Sequence, residues 1–410
     1  MQKAGPKIPD SARRPSQASA RGLDWFTFFV ADIQTGFGPF LAVYLTTQKW
    51  TQSDIGLVLS LGSIAGLLFQ IPGGWAVDAA PSKRRAAALA LIGLGAAALL
   101  IAISPLFLSV VIAKLVQIGA SAILGPAIAA ITLGLVGHAA IGPRLGRNAR
   151  FASLGNGIAA GVMGAFGYFI SAQAVFYVTA VIVIPAIWAL LSIRDDEINP
   201  QAADGGFRSG LAPAPSGIAE TVLQRPIIVL ILAVLLFQAA NTAMLPLVGG
   251  AMAMQSSQWA TALIAACIIG PQLIVAAISP KVGALAQSWG RRPLLLIGFG
   301  VLPIRGLLLA YTSEPYAIVA VQMLDGITAS VLGVLVPLSI ADATRGTGRF
   351  NLMQGVVGCA VGIGATISTF VAGRLADSIG TPMTFLVLAT IALGALLLLV
   401  VAMPETKPTI

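Results

Sequence analysis

Long apolar runs recur along the whole chain and constrain its fold more than any other feature. A helix needs about 20 apolar residues to cross the hydrocarbon layer of a membrane. Because backbone polar groups in lipid must bond within their own segment, such runs are expected to be helices. Only 10% of the 410 residues are charged, against about a quarter in a soluble domain, and the mean hydropathy is +0.91. We therefore predict an all-α polytopic membrane protein with twelve transmembrane helices, at residues 22–45, 52–77, 86–104, 106–136, 149–171, 173–193, 226–249, 258–280, 293–312, 315–340, 350–372 and 381–402.

The basic residues set the orientation of these helices. Twenty of the 24 Lys and Arg residues fall in segments on the same side as the N-terminus, whereas the opposite side keeps Lys49 and Arg374. Cytoplasmic segments are enriched in Lys and Arg, so both termini are predicted to be cytoplasmic, and we expect a bacterial cytoplasmic (inner) membrane. The net charge of +9 follows from this topology, which removes the reason to expect a nucleic-acid partner.

Polar stretches divide the chain into two helical halves. Residues 1–20 are predicted to be a disordered cytoplasmic tail, with no cleaved signal peptide. Residues 194–225 are rich in Pro, Gly and Ala and are predicted to be a flexible cytoplasmic linker. This leaves six-helix bundles at 21–193 and 226–403, with a short cytoplasmic tail at 404–410.

The two halves resemble each other at a shift of about 200 to 209 residues. The stretch that begins at Lys114 parallels the one that begins at Gln322, and Gly155 parallels Gly355. Duplicated six-helix halves around a central site are a transporter architecture.

A motif between the predicted second and third helices occurs once in each half. The first copy is Gly74-Trp-Ala-Val-Asp78 followed by Lys83-Arg84-Arg85, and the second is Gly283-Ala-Leu-Ala-Gln287-Ser-Trp-Gly290-Arg291-Arg292. In these motifs, and in the ending Met403-Pro-Glu-Thr-Lys407, the chain resembles the major facilitator superfamily over nearly all of residues 21–405. The first copy departs from the family pattern at Ala79, Pro81 and Ser82. The resemblance implies two pseudo-symmetric six-helix bundles.

The resemblance also implies a gating motif on the cytoplasmic side. Gly74 and Gly283 would let neighbouring helices approach closely. Asp78 would accept hydrogen bonds at a helix N-terminus or pair with the basic loop, and Arg291 and Arg292 would make the equivalent contacts for the other half. These contacts would hold the cytoplasmic side shut and break when the halves rock. The predicted gating residues are Gly74, Asp78, Lys83, Arg84, Arg85, Gly283, Gly290, Arg291 and Arg292.

Four ionisable residues lie deep inside predicted helices, where a charge is costly unless it is paired or hydrated. Asp32 and Lys114 fall in the first half and Arg305 and Asp325 in the second, so we predict one ion pair in each half. Lys114 stands where the resemblance implies a residue, usually Arg, that is involved in proton transfer. Asp32 is the leading candidate for proton coupling, and a permanent structural ion pair is the alternative.

Uncharged polar residues at similar depth complete the candidate site. Those assigned to proton coupling or substrate contact are Gln34, Gln117, Gln238 and Asn241. Gln272 and Gln354 lie at similar depth, and hydrogen bonding between helices is the alternative role for all six. The Gly-rich fifth helix lacks the proline that antiporters of the family carry there, which leaves the direction of transport open.

These features predict a transporter and not an enzyme. The first hypothesis is a proton-coupled secondary active transporter that moves a small organic molecule by alternating access, with export by antiport favoured. The alternative is an organic-anion importer or facilitator in which Lys114 and Arg305 hold the anion. An intramembrane aspartyl protease built on Asp32 and Asp325 lacks the expected flanking residues. The single histidine, His138, gives no basis for a metal site, so no cofactor is expected. The expected partners are a small-molecule substrate, protons and the lipid bilayer, around a monomer.

Overall fold

The computed structural model describes residues 15–37, 39–206, 217–254 and 260–407, and within them the fold is all-α. Eleven helical stretches are long and apolar enough to cross a membrane. The longest, Phe107–Phe169, contains two consecutive spans, because Gly137 adopts a left-handed φ of 66° and breaks the helix there. The described part of the chain therefore forms twelve spans, which confirms the predicted fold class.

Most spans agree with the predicted positions to within several residues, whereas the fifth begins well before its predicted start at residue 149. Three of them consist of two consecutive helices, and the fourth and fifth share one continuous stretch. In chain order they are Gln17–Gly36 with Pro39–Thr47, Gln52–Ala79, Lys83–Ile103, 107–136, 138–169, Ala174–Leu191, Arg225–Asn241 with Met244–Met254, Ala260–Ser288, Arg292–Tyr311, Pro315–Gln322 with Leu324–Ala343, Phe350–Ile379 and Thr381–Ala402. They are called the first to the twelfth span below.

Each half of the chain packs around its own apolar core. One cluster of buried side chains runs from Leu23 to Ala203, and the other is built mainly from residues between Ile227 and Met403. Large apolar residues also cover the outside of the spans, including Leu68 and Trp188, which are 66% and 75% exposed. In a protein surrounded by hydrocarbon such exposed side chains are expected to face lipid.

The first span begins earlier than predicted. Ser16 caps it by accepting a hydrogen bond from the Ser19 amide at 3.2 Å, and the Glu197 carboxylate accepts hydrogen bonds from the Ser16 amide and hydroxyl at 3.0 and 3.1 Å. The prediction of disorder over residues 1–20 is therefore wrong for residues 15–20, because a cap and a long-range partner fix them. The rest of that tail lies outside the described residues.

The first part of the linker is folded as well. A 3₁₀ turn at Asp195–Glu197 is followed by the short helix Pro200–Ala203, and the Asn199 amide donates to the Gly134 carbonyl at 2.9 Å. The prediction of a flexible linker is wrong for residues 194–206, which are fixed by these contacts, whereas residues 207–216 lie outside the described residues. The loops at 80–82, 192–206 and 289–291 lie at one end of the bundles together with residues 15–16 and 403–407, and we call this the basic end.

Two helix pairs join the bundles near the basic end. The second span packs against the eleventh, where a Cβ atom at Gly74 would overlap the carbonyl oxygen of Asn351, and the fifth packs against the eighth, where a Cβ at Gly283 would overlap that of Gly142. Gly74 precedes Gly283 by 209 residues, and Gly142 precedes Asn351 by the same number. The two pairs are therefore equivalent contacts related by the internal duplication.

The two halves are related by a uniform shift of 209 residues, and this shift shows that the parallel between Gly155 and Gly355 was wrong. Gly155 packs against the Phe28 carbonyl in the first span, and Gly364 packs against the Leu235 carbonyl in the seventh. Gly364 is thus the counterpart of Gly155. Gly355 instead corresponds to Gly146, and both of these glycines lie in the contacts between bundles.

Substitution of the interface glycines should destabilise the protein. In Gly74→Val or Gly283→Val the added atoms meet backbone and force the helices apart, which should lower the free energy of unfolding by about 1–3 kcal/mol. Gly161→Val is the matched control, because no neighbouring side chain or helix among the described residues comes within 4 Å of a Cβ there. Thermal unfolding of the purified variants measures the difference, and equal melting temperatures for all three would contradict the prediction.

Candidate functional site

Asp78 connects the two bundles by capping a helix. Its Oδ1 accepts hydrogen bonds from the Asn351 backbone amide at 3.2 Å and side-chain amide at 2.8 Å, and its Oδ2 accepts one from the Leu352 amide at 2.8 Å. The eleventh span begins at Phe350, so these are amide groups of its first turn, which lack partners inside the helix. A carboxylate also favours the positive end of the helix dipole. A residue of the second span thereby holds the start of the eleventh.

The basic residue Lys83 after Asp78 pairs with an acid of the linker and not with the Asp78 carboxylate. The buried Lys83 ammonium donates to the carbonyls of Val77 at 2.7 Å, Asp78 at 3.1 Å and Ala80 at 3.0 Å, and it lies 2.7 Å from the Asp204 carboxylate. Burial raises the pKa of the Asp204 carboxyl, and the Lys83 ammonium opposes this rise. The loop therefore ends the second span and binds the folded linker to it.

The two arginines beside Lys83 differ in their surroundings. Arg84 donates to the Ile193 carbonyl at 2.6 Å and lies 3.6 Å from Asp195. Arg85 is exposed.

The second copy of the motif holds its own bundle together. Buried Arg291 pairs with Asp342 at 2.7 Å and donates to the Ala286 carbonyl at 2.7 Å. The Glu405 carboxylate accepts hydrogen bonds from the amides of Arg291 at 2.8 Å and Arg292 at 3.1 Å, at the start of the ninth span. Arg291 and Arg292 were expected to make, for the second half, the contacts that Asp78 makes in the first, and their partners here are supplied by the tenth span and the chain end.

Other members of the second copy have separate roles. Gly290 takes a left-handed φ of 98° at the turn before the ninth span, which glycine adopts without strain. The amide of Gln287, which replaces the motif aspartate, lies beside Gly142 of the fifth span. Gly283 is thus the member that carries the close contact between bundles.

The predicted ion pair of the second half is present. Arg305 of the ninth span, only 1% exposed, forms an ion pair with Asp325 of the tenth and donates to the Asn241 side-chain oxygen of the seventh at 2.9 Å. Asp325 lies in the first turn of Leu324–Ala343, just after Met323, whose backbone angles stay in the right-handed helical region. Three spans are therefore joined by one charge pair and its amide partner.

The predicted pair of the first half is wrong. No ion pair in the described residues joins Asp32 to Lys114, and Asp32 is 6% exposed with no hydrogen-bond partner there. The Lys114 stem packs on Gly62 of the second span. One turn after Asp32, the Thr35 hydroxyl donates to Asn156 of the fifth span at 3.0 Å.

The remaining predicted residues are dispersed. Gln34 is exposed, and Gln117 donates to Ser121 at 3.2 Å. Gln238 accepts a hydrogen bond from Thr242 at 3.3 Å near the break in the seventh span.

A cavity of about 540 Å³ lies between the bundles, and we call it the central cavity. It is bounded by the first, second, fourth and fifth spans on one side and by the eighth, tenth and eleventh on the other. The Ser153 hydroxyl of the fifth span donates to the Gln272 side-chain oxygen of the eighth at 2.7 Å, so the two halves meet in its wall. Its polar lining residues are Thr27, Gln70, Asn148, Ser153, Asn156, Gln272 and Gln354.

None of the four predicted intramembrane charges lines this cavity in the described part of the chain. The sequence interpretation noted Gln272 and Gln354 only as polar residues, and it missed Gln70, Ser153 and Asn156. Proximity to the interface glycines is the signal that could have found them, because Gln70 lies four residues before Gly74 and Gln354 directly precedes Gly355.

A charge network beside the cavity was also missed. Asp24 of the first span pairs with Arg144 at 2.7 Å and Arg147 at 2.6 Å. Arg144 donates to the Asn148 side-chain oxygen at 2.9 Å, and the Asn148 amide donates to Thr132 at 2.7 Å. The arginines are therefore structural partners of Asp24 as well as positive charges near the end of a span.

Comparison with known proteins agrees with this architecture. The family model for the Major Facilitator Superfamily matches residues 25–284 and 251–410. The chain belongs to the major facilitator superfamily. The uncharacterized MFS-type transporter Rv2456c of Mycobacterium tuberculosis (strain H37Rv) is 39% identical over 390 residues, covering 94% of this chain and 93% of the relative. The protein is accordingly a membrane transporter.

Solved structures share the fold at low sequence identity. The human organic anion transporter MFSD10 (TETRAN) superposes with a TM-score of 0.72 at 14% identity, covering 96% of this chain and 100% of that one. The Escherichia coli fucose:proton symporter FucP superposes with a TM-score of 0.71 at 14% identity, covering 92% and 97%. At this identity the likeness concerns the fold.

Removal of the Asp78 carboxylate should weaken the contact between bundles. In Asp78→Ala three donors at the start of the eleventh span lose their acceptor, and we expect the free energy of unfolding to fall by about 1–3 kcal/mol. Asp377→Ala, at an exposed position near the other end of the same span, is the control. The measurement is thermal unfolding in detergent, and similar shifts in both variants would refute a capping role.

The Arg305–Asp325 pair should show strong coupling. Asp325→Asn leaves the buried Arg305 guanidinium without its counter-charge and should cost about 3–5 kcal/mol. Arg305→Met leaves only the half-buried Asp325 unpaired and should cost less. The double variant should recover much of that loss, because no unpaired charge remains. A double-mutant cycle on thermal stability tests this prediction, and additive single losses would contradict it.

Proposed function

We propose that this membrane transporter is a proton-coupled secondary active transporter that moves a small organic molecule by alternating access through the central cavity. The observation that carries the proposal is the placement of that cavity between two pseudo-symmetric bundles, with polar side chains from both halves in its wall. A site shared by two repeats can be exposed to either side as one repeat rocks against the other.

The basic end supplies a gate for this movement. Glycine contacts close both interfaces there, and Asp78 bonds to the start of the eleventh span. By the positive-inside rule this end is cytoplasmic, so rocking that opens it would expose the cavity to the cytoplasm. The Asp78 bonds and the equivalent helix contacts would then separate together, since the duplication relates the two interfaces.

Asp32 is the proposed proton carrier. It is a buried acid on the first span without a counter-ion among the described residues, and an isolated charge at membrane depth is costly. The interruption between Gly36 and Pro39 lies one turn beyond it. Ionised Asp32 would therefore favour conformations in which water reaches it, and protonated Asp32 would favour conformations in which it is buried. Lys114 remains the proposed second member, and export by antiport remains the favoured direction.

The organic-anion importer is the alternative, and the geometry supports it less. Its two proposed cations do not converge, because Arg305 is matched by Asp325 and Lys114 packs on Gly62. One structural neighbour is named as an organic anion transporter and another as a fucose:proton symporter. The neighbours therefore leave the substrate class open, and the absence of ionisable side chains among the described lining residues of the cavity favours the first hypothesis.

The role of Asp32 can be tested before the substrate is known. A ligand that binds only the folded state raises its melting temperature, so wild type, Asp32→Asn and the control Asp54→Asn are screened against a chemically broad panel at pH 6 and pH 8. We expect a hit whose stabilisation depends on pH in wild type and in Asp54→Asn but not in Asp32→Asn. Hits that bind all three proteins equally at both pH values would overturn proton coupling through Asp32 and favour a facilitator.

A further inference from the structure

The polar lining of the central cavity consists entirely of amides and hydroxyls. Among the described residues that form its wall, none carries an ionisable side chain. The remaining lining residues are Gly, Ala, Pro, Leu, Ile and Val. A ligand in this cavity therefore meets hydrogen-bonding groups and apolar surface, and no formal charge in the wall.

The charged group that bonds to a side chain of the wall already has an acidic partner. Arg144 is 8% exposed, pairs with Asp24, and is linked to the wall only through the side-chain oxygen of Asn148. The Asn148 amide is in turn occupied by Thr132. A carboxylate in the cavity would thus meet Asn148 before Arg144, whose guanidinium is already paired with Asp24, a carboxylate that it shares with Arg147.

Several wall amides retain free hydrogen-bonding capacity. The Ser153 hydroxyl donates to the side-chain oxygen of Gln272, and the Thr35 hydroxyl donates to that of Asn156. The side-chain NH₂ groups of Gln272 and Asn156 are therefore left to donate to a ligand. Gln70 and Gln354 have no side-chain hydrogen bond within the described residues. Each amide offers two donors and an acceptor that accepts twice, which suits a ligand carrying several hydroxyl or amide groups.

We propose that the central cavity binds an uncharged small molecule rich in hydroxyl or amide groups, and that Gln272 and Gln354 are specificity-determining residues. The proposal rests on the proposed function and names its substrate class. A charged ligand would lose its hydration without gaining a counter-charge, whereas a neutral polar ligand exchanges water for amide partners. The volume of about 540 Å³ lies within the range of small-molecule sites.

Matched sets of compounds test the charge class directly. Each set contains a neutral parent, its carboxylate and its amine: a hexose with its uronate and hexosamine, and a nucleoside with its 5′-carboxylate and 5′-amino derivatives. Binding is read from thermal stabilisation of the purified full-length protein. We expect at least one neutral parent to stabilise wild type, and its carboxylate and amine to bind at least about tenfold more weakly.

Variants locate the binding in the cavity. Gln272→Leu and Gln354→Leu should weaken binding of the neutral parent at least about tenfold, and Ser153→Ala serves as a milder variant should either fail to fold. Gln322→Leu is the control, because this buried glutamine is not among the residues of the cavity wall and its side chain has no hydrogen-bond partner in the described part of the chain. A monodisperse elution profile and a wild-type-like melting temperature without ligand establish that each variant is folded.

Three outcomes would overturn the inference. They are a charged derivative that binds as tightly as its neutral parent, neutral binding that survives in both cavity variants, and no stabilisation of folded wild type by any neutral parent. A charged ligand whose binding requires Gln272 and Gln354 would refute the neutral class while leaving the cavity as the transport site. Proton coupling is decided separately by Asp32→Asn.

Discussion

The close approach of backbone to backbone at two helix pairs is the contact on which the rest of the structure depends. Gly74 against Asn351 and Gly283 against Gly142 bring the bundles together where no side chain fits between them. Helices surrounded by lipid gain little from the hydrophobic effect, so packing and hydrogen bonds between them must supply the attraction. The Asp78 cap lies at one of these contacts and the Ser153–Gln272 hydrogen bond near the other. The closed end and the central cavity follow from the same two interfaces.

The charged and uncharged polar groups have separate places in this architecture. Arg305, Arg291 and Arg144 are buried, and each pairs with an acidic partner of its own bundle, so these pairs join helices within a bundle. The central cavity is lined by amides and hydroxyls. On the proposed mechanism this division is useful, because a strong ion pair across the moving interface would have to be broken in every cycle at a large cost.

The number of spans and their order could be predicted because lipid imposes a length and a composition on each helix. The Arg305–Asp325 pair could be predicted as well, since a deep charge needs a partner. The Asp32–Lys114 pair could not be judged by depth alone, because a helix turns once every 3.6 residues and depth does not give the face. Asp24 and Arg144 are separated by 120 residues, and each lies near a span end where a charge looks like a topology signal. Gln70 and Ser153 stand in stretches of small and apolar residues, so only the packing of the bundles identifies them as cavity wall.

The folded part of the linker, residues 194–206, binds to both bundles and not only connects them along the chain. Asp204 pairs with Lys83 of one bundle, while the carbonyls of Asp204 and Gly205 accept hydrogen bonds from the amides of Phe350 and Gly346 in the other. If the basic end opens, the linker segment 194–206 must lose its contacts with at least one bundle, and those groups become exposed to water. The free energy of breaking these contacts adds to that of separating the glycine contacts. Two transporters with the same cavity could thus differ, through the sequence of linker segment 194–206 alone, in the time for which the cavity is open to each side of the membrane.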